Sequence, residues 1–125
     1  MVSEKEVLIF IVDDNIPVVV SMVTFFESKG FRVISAYNAK EAISVYLETK
    51  PDIVVMGSRL HNVLVFDLAR TLNYPKIIFI TSHPQMLQEA KKITNCVGVV
   101  GKPINYHEIY SLVRKEFDIP TPKFQ

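Results

Sequence analysis

Five short apolar runs punctuate the chain: Val7–Val12, Arg32–Ala36, Ile53–Met56, Ile77–Ile80 and Val97–Val100. They are rich in Val and Ile, and several lack any alternation with polar residues. Successive strand side chains point to opposite faces, so an unbroken apolar strand is one covered on both sides, as in a parallel sheet under helices. Between the runs, apolar residues recur at three- and four-residue steps: Ala39, Ala42, Ile43, Tyr46 and Leu47; Val65, Leu68, Ala69 and Leu72; Leu87, Ala90 and Ile93; Tyr106, Ile109, Val113 and Phe117. That spacing predicts helices. Asn38 with Glu41 and Asn105 with Glu108 stand at capping-box separation, and Gly30 ends the first helix. None of the 7 prolines falls inside one of these five apolar runs. Strand alternating with helix predicts an α/β fold with a doubly wound sheet, whose ligands bind beyond the carboxyl ends of the strands.

Length and composition narrow this picture. At 125 residues the chain is the size of one domain, expected over 1–119 with a short irregular tail over 120–125. Lys and Arg number 14 against 13 Asp and Glu, a formal net charge of +1 with no basic cluster, which argues against nucleic acid and anionic membranes as partners. Cys96 is the single cysteine, so an intramolecular disulfide and a CxxC metal site are excluded, and a reducing compartment fits. The start, MVSEKEVLIFIVDD, has only a short apolar run ending in two carboxylates, unlike a signal peptide or a membrane span. A soluble cytoplasmic protein is expected. After Phe117 only eight residues follow, too few for a helix-turn-helix.

The strand ends carry the candidate chemistry. Asp13 and Asp14 follow the first strand directly and repel one another. Such a pair persists by sharing a hard cation, by contacting a lysine, or by titrating as a coupled unit. Lys102 closes the fifth strand as a counter-charge, Pro103 fixes the turn that aims it, and Thr81 ends the fourth strand with a hydroxyl. A helix cap with a salt bridge to Lys102, and no metal, accounts for the same acidic pair.

With these residues in place, the chain resembles the receiver domains of two-component response regulators, the CheY-like family. The matching pieces are VDDN at Val12–Asn15, PDIVVM at Pro51–Met56, IIFITS at Ile77–Ser82 and GKP at Gly101–Pro103, within a resemblance from about Val7 to Phe117. The resemblance implies a flavodoxin-like (βα)5 three-layer sandwich with strand order 2-1-3-4-5. It also implies that Asp13 and Asp14 help hold Mg²⁺, that an aspartate after the third strand accepts a phosphoryl group from a histidine kinase, and that Thr81 and Lys102 contact that group.

The acceptor position is Gly57, which offers no oxygen to attack phosphorus and no carboxylate to a metal. Asp13, Asp14 and Lys102 sum to −1 where a third carboxylate would give −2, leaving at most weak Mg²⁺ binding and no required cofactor. Val99 stands three residues before Lys102, where receivers commonly carry a switch aromatic, and Leu60, His61 and Val65 replace the expected residues of the following loop. These departures imply a pseudo-receiver that is not an enzyme. Ser58 is the alternative acceptor, weighed against an ordinary loop serine without a general base. A small-ligand-binding flavodoxin-like module is a further alternative, opposed by the negative charge of DDNIPV where a phosphate would sit. His61, His83 and His107 are dispersed and are expected at the surface or in loops.

If the chemical switch is lost, function falls to a binding surface. From Asn15 to Phe26 there is no charged residue, and Val19, Val20 and Val23 fall where the family usually exposes polar side chains. The expectation is a protein partner, either a histidine kinase or another signalling protein, or a homodimer through the first helix.

Overall fold

The computed structural model describes residues 2–57, 59–60, 63–72, 76–83, 86–93 and 95–120. A single 3-10 turn, Glu4–Glu6, leads into β1 (Leu8–Val12), α1 (Ile16–Ser28), β2 (Arg32–Ala36), α2 (Ala39–Thr49) and β3 (Ile53–Gly57). Two very short strands follow, β4 (Arg59–Leu60) and β5 (Val63–Leu64), then α3 (Val65–Leu72), β6 (Ile77–Thr81), α4 (Met86–Lys91), β7 (Cys96–Gly101) and α5 (Tyr106–Glu116). The main sheet has order β2-β1-β3-β6-β7 with every pairing parallel. Counting only its five strands, this is the 2-1-3-4-5 order of the flavodoxin-like fold.

Alternation along each strand builds two cores. Ile9 and Ile11 of β1, Ile53 and Val55 of β3, and Ile78 and Ile80 of β6 pack with Val19, Met22 and Phe26 of α1 and Ile109, Tyr110 and Val113 of α5. Phe10 and Val12, Val54 and Met56, and Ile77 and Phe79 point the other way, onto Ala42 of α2, Phe66, Leu68 and Ala69 of α3 and Ala90 of α4. The inner strands β1, β3 and β6 are therefore apolar up to Thr81 at the end of β6, because their positions are buried apart from the half-buried Leu8.

The helices begin where the sequence signals. Asn15, Asn38 and Asn105 each accept a hydrogen bond from the backbone N–H three residues on, at 3.2, 2.8 and 3.2 Å. Glu41 reaches back to the N–H of Tyr37 at 2.8 Å, one residue before the cap, so the α2 box is displaced by one position. Gly30 follows α1 with φ +96, a left-handed turn that a β-carbon disfavours. The β4–β5 hairpin, pairing Arg59 with Leu64 and Leu60 with Val63, was not anticipated from the apolar pattern. Of the expected tail, Pro120 is exposed and residues 121–125 lie outside the described residues, while Ile119 is buried with its N–H bonded to Arg114 O at 2.8 Å. Among the described residues, no helix is long and apolar enough to cross a membrane.

Phe26 is fully buried and meets Phe25 and Phe31 edge-on at 5.1 and 5.9 Å between ring centroids. Phe26→Ala is expected to cost about 3–5 kcal/mol, whereas Asn38→Ala, which removes only a cap, should cost about 1 kcal/mol. Urea unfolding of both variants checks the order; equal losses would mean that α1 does not anchor its core as described.

Candidate functional site

The carboxyl ends of the four strands β1, β3, β6 and β7 meet along one rim. The parallel register pairs Val12 with Met56, so the next residues, Asp13 and Gly57, leave the sheet side by side. Gly57 pairs with Ile80, and Thr81 pairs with Gly101, which places Lys102 immediately beyond. Backbone bonds hold this rim: Asp13 N–H donates to Ala36 O at 3.2 Å, and Lys102 N–H donates to Thr81 O at 3.2 Å.

Asp13 is only 3% exposed. Its Oδ1 accepts from the N–H of Asn15 at 2.9 Å, a bond that favours the charged form. Burial nonetheless pushes the Asp13 carboxyl above the ordinary aspartate range. The Asn15 bond and the Lys102 charge oppose the shift, and the charge and hydrogen bonding of Asp14 add to it. Asp14 is half-buried, whereas Lys102 is exposed and acts on Asp13 through space rather than by a close ion pair. Thr81 is buried, and its Oγ1 accepts from His83 N–H at 3.0 Å. The hydroxyl proton is left to donate elsewhere. Pro103 follows Lys102 through a cis peptide bond.

The rim thus brings together Asp13, Asp14, Thr81, Lys102 and the acceptor-equivalent Gly57, as the spacing implied. Gly57 is buried, closes β3 in ordinary extended backbone, and contributes no side chain. Val99 is half-buried in β7 and packs against the α2–α4 core, so no aromatic ring stands at that place. Ser58 and His61 lie outside the described residues. His83 and His107 are exposed, in line with the expectation for them; His107 additionally meets the Phe25 ring edge-on at 5.6 Å. The backbone donor of His83 was missed by sequence reasoning, since any residue type supplies an N–H.

The donor set fits a divalent cation poorly. Mg²⁺ takes six oxygens in near-ideal octahedral order, and here two adjacent carboxylates, one of them drawn toward its protonated form, lack a third acid across the rim. Among the described residues, no group of three His, Cys, Asp or Glu side chains gathers.

The surface expected on α1 needs correction. Val19 is fully buried in the core and Val23 is half-buried against it, because both lie on the stripe facing the sheet. Of the three valines only Val20 is open, at 53%, and its exposed companion one turn earlier is Ile16, at 59%.

The raised Asp13 pKa carries a sign. Below the ordinary carboxylate range both folded and unfolded chains hold the proton and the group adds nothing. As pH rises the unfolded chain loses its proton first, so folding is increasingly disfavoured until Asp13 ionises in the fold as well. Asp13→Asn keeps the acceptor for Asn15 N–H and removes the charge; it is expected to stabilise the protein at neutral pH by about 1 kcal/mol, with the gain vanishing in acid. Thermal melts across pH check this, and a variant less stable than the parent at neutral pH would contradict it.

Comparison with known proteins follows the same lines. The response regulator receiver domain family matches residues 9–114. The positive alginate biosynthesis regulatory protein of Pseudomonas aeruginosa is 30% identical over 92 residues, covering 69% of this chain and 37% of that protein. The chain therefore spans little more than a third of that relative's length. Among solved structures, a two-component response regulator from Clostridium difficile superposes with a TM-score of 0.83 at 22% identity, covering 90% of this chain and 97% of the other. The chemotaxis response regulator CheY4 of Vibrio cholerae gives 0.78 at 18% identity, with 87% and 97% covered. At such identities the structures speak for the fold. Because the family match runs from the second residue of β1 into the last turns of α5, across every strand of the main sheet, the chain belongs to the response regulator receiver domains of two-component systems.

Proposed function

We propose that this receiver works without phosphorylation, as a pseudo-receiver acting through protein–protein contact. The observation that carries this is Gly57 at the end of β3, level with Asp13 and one residue before the Thr81–Gly101 rung, where a nucleophilic carboxylate would have to stand. Phosphoryl transfer to a receiver needs an oxygen nucleophile and a cation to offset the charge on the transferring group. Gly57 removes the first and impoverishes the second. Val99, in place of an aromatic, agrees with a fold that has no phosphorylation state to report.

On this proposal the protein is not an enzyme, requires no cofactor, and operates in the cytoplasm. Its partner is a histidine kinase or another signalling protein, or a second copy bound through α1, where Ile16 and Val20 are open to solvent. The regulatory role for which the Pseudomonas aeruginosa relative is named suits a signalling module of this kind.

Intact mass after incubation with a small-molecule phosphodonor and Mg²⁺ tests the proposal. The natural chain should be unchanged. Gly57→Asp should gain one phosphoryl group, because it restores a carboxylate at a position whose backbone is extended. A phosphoryl group on the natural chain would overturn the proposal, and peptide mapping would then look first at Ser58.

A further inference from the structure

The helix α4 is only six residues long, too short to persist by its own hydrogen bonds, so its place depends on what anchors its two ends. At the carboxyl end a run of backbone bonds leads straight into the sheet. Ile93 N–H donates to Ala90 O at 3.1 Å, Cys96 N–H to Ile93 O at 3.0 Å, and Ile77 N–H to Asn95 O at 3.0 Å. Ala90 and Ile93 are buried, and Cys96 and Val99 of β7 pack against the same core. The amino end is held differently. The chain leaves β6 at Thr81, whose carbonyl is tied to β7 by Lys102 N–H, and then runs through the exposed Ser82 and His83. Among the described residues, the side-chain bond on this entry side is the one from His83 N–H to Thr81 Oγ1, at 3.0 Å. The ion pair between Arg70 of α3 and Glu89, at 3.7 Å between half-exposed side chains, adds little.

Thr81 is a buried anchor for an exposed segment. The residue is only 7% exposed, so water competes poorly for the bond that its oxygen accepts. Turning the side chain to another rotamer would cost His83 N–H this partner and leave the hydroxyl oxygen to find a new one beneath the surface. Gly57, which pairs with Ile80 one residue before Thr81, has no side chain to draw the hydroxyl away.

We propose that the Thr81 hydroxyl is a latch: it holds the start of the β6–α4 connection, and through it α4, in one fixed seat against β7 with no phosphoryl group present. The inference rests on the phosphorylation-independent function argued above and specifies how the α4 face is kept in a single state. It gives Thr81 a task at a rim whose acceptor position carries no side chain. The molecule also holds its own reporter of that seat. Cys96, the single cysteine, lines a groove of about 320 Å³ together with Lys91 of α4 and Val97, Gly98 and Val99 of β7. Burial pushes its thiol above the ordinary cysteine range, so it reacts slowly while α4 is seated and faster when α4 lifts.

Amide exchange at His83 and labelling of Cys96 with a thiol reagent test the latch. Thr81→Val removes the acceptor while nearly keeping the shape, and both rates should rise by about five- to tenfold, the loss expected for one hydrogen bond. Thr81→Ser keeps the oxygen and should restore both. Rates unchanged in Thr81→Val overturn the proposal, as do rates in Thr81→Ser as fast as those in Thr81→Val, since shape rather than the hydroxyl would then seat α4. In Gly57→Asp treated with the phosphodonor, the His83 amide should exchange equally slowly before and after phosphorylation; protection lost on phosphorylation would mean that the hydroxyl is free to leave, and would overturn the latch. If Thr81→Val fails to fold, that comparison decides, and if Gly57→Asp takes up no phosphoryl group, the two Thr81 variants decide. Failure of the latch is a change in rate at constant mass, whereas failure of the phosphorylation-independent function is a change in the mass of the natural chain, so the two are told apart.

Discussion

A parallel sheet must be covered on both faces, and much else in this molecule follows from that requirement. Covering both faces makes the inner strands largely apolar, sends the chain back over the sheet through a helix between successive sheet strands, and leaves all the carboxyl ends on one rim. Asp13, Gly57, Thr81 and Lys102 are neighbours because Val12 pairs with Met56, Gly57 with Ile80 and Thr81 with Gly101. The rim is assembled by backbone bonds. A side chain can therefore vanish from it, as at Gly57, without disturbing the frame that would have held it.

The residues that remain at the rim bear an electrostatic cost. Asp13 is buried next to Asp14, and among the described residues the cation that offsets its charge is the exposed Lys102, so the ionised form of Asp13 is poorly compensated. In a working receiver the family resemblance assigns this acidic charge to a metal. Here the same charge persists beside a vacancy in the donor set, held mainly by the Asn15 amide.

Much of this was legible in the residues. Val/Ile runs located the five main strands to within a residue or two, because length and β-branching separate a short buried strand from a helix. The asparagine caps were readable because each needs only one side chain at one offset. The β4–β5 hairpin escaped notice, since two-residue strands have no periodicity to detect. On α1 the run Val18–Val19–Val20 has no polar residue to set the helical phase, so chemistry alone could not say that Val19 turns inward and Val20 outward.

Gly57 also has a genetic side. Its backbone is extended and lies outside the left-handed region, so no turn geometry requires glycine there. A glycine codon ending in a pyrimidine becomes an aspartate codon by a single base change. In that case, on the function proposed above, the distance between a receiver that relays phosphate and this chain is one point mutation, traversable in either direction while Asp13, Asp14, Thr81 and Lys102 stay in place.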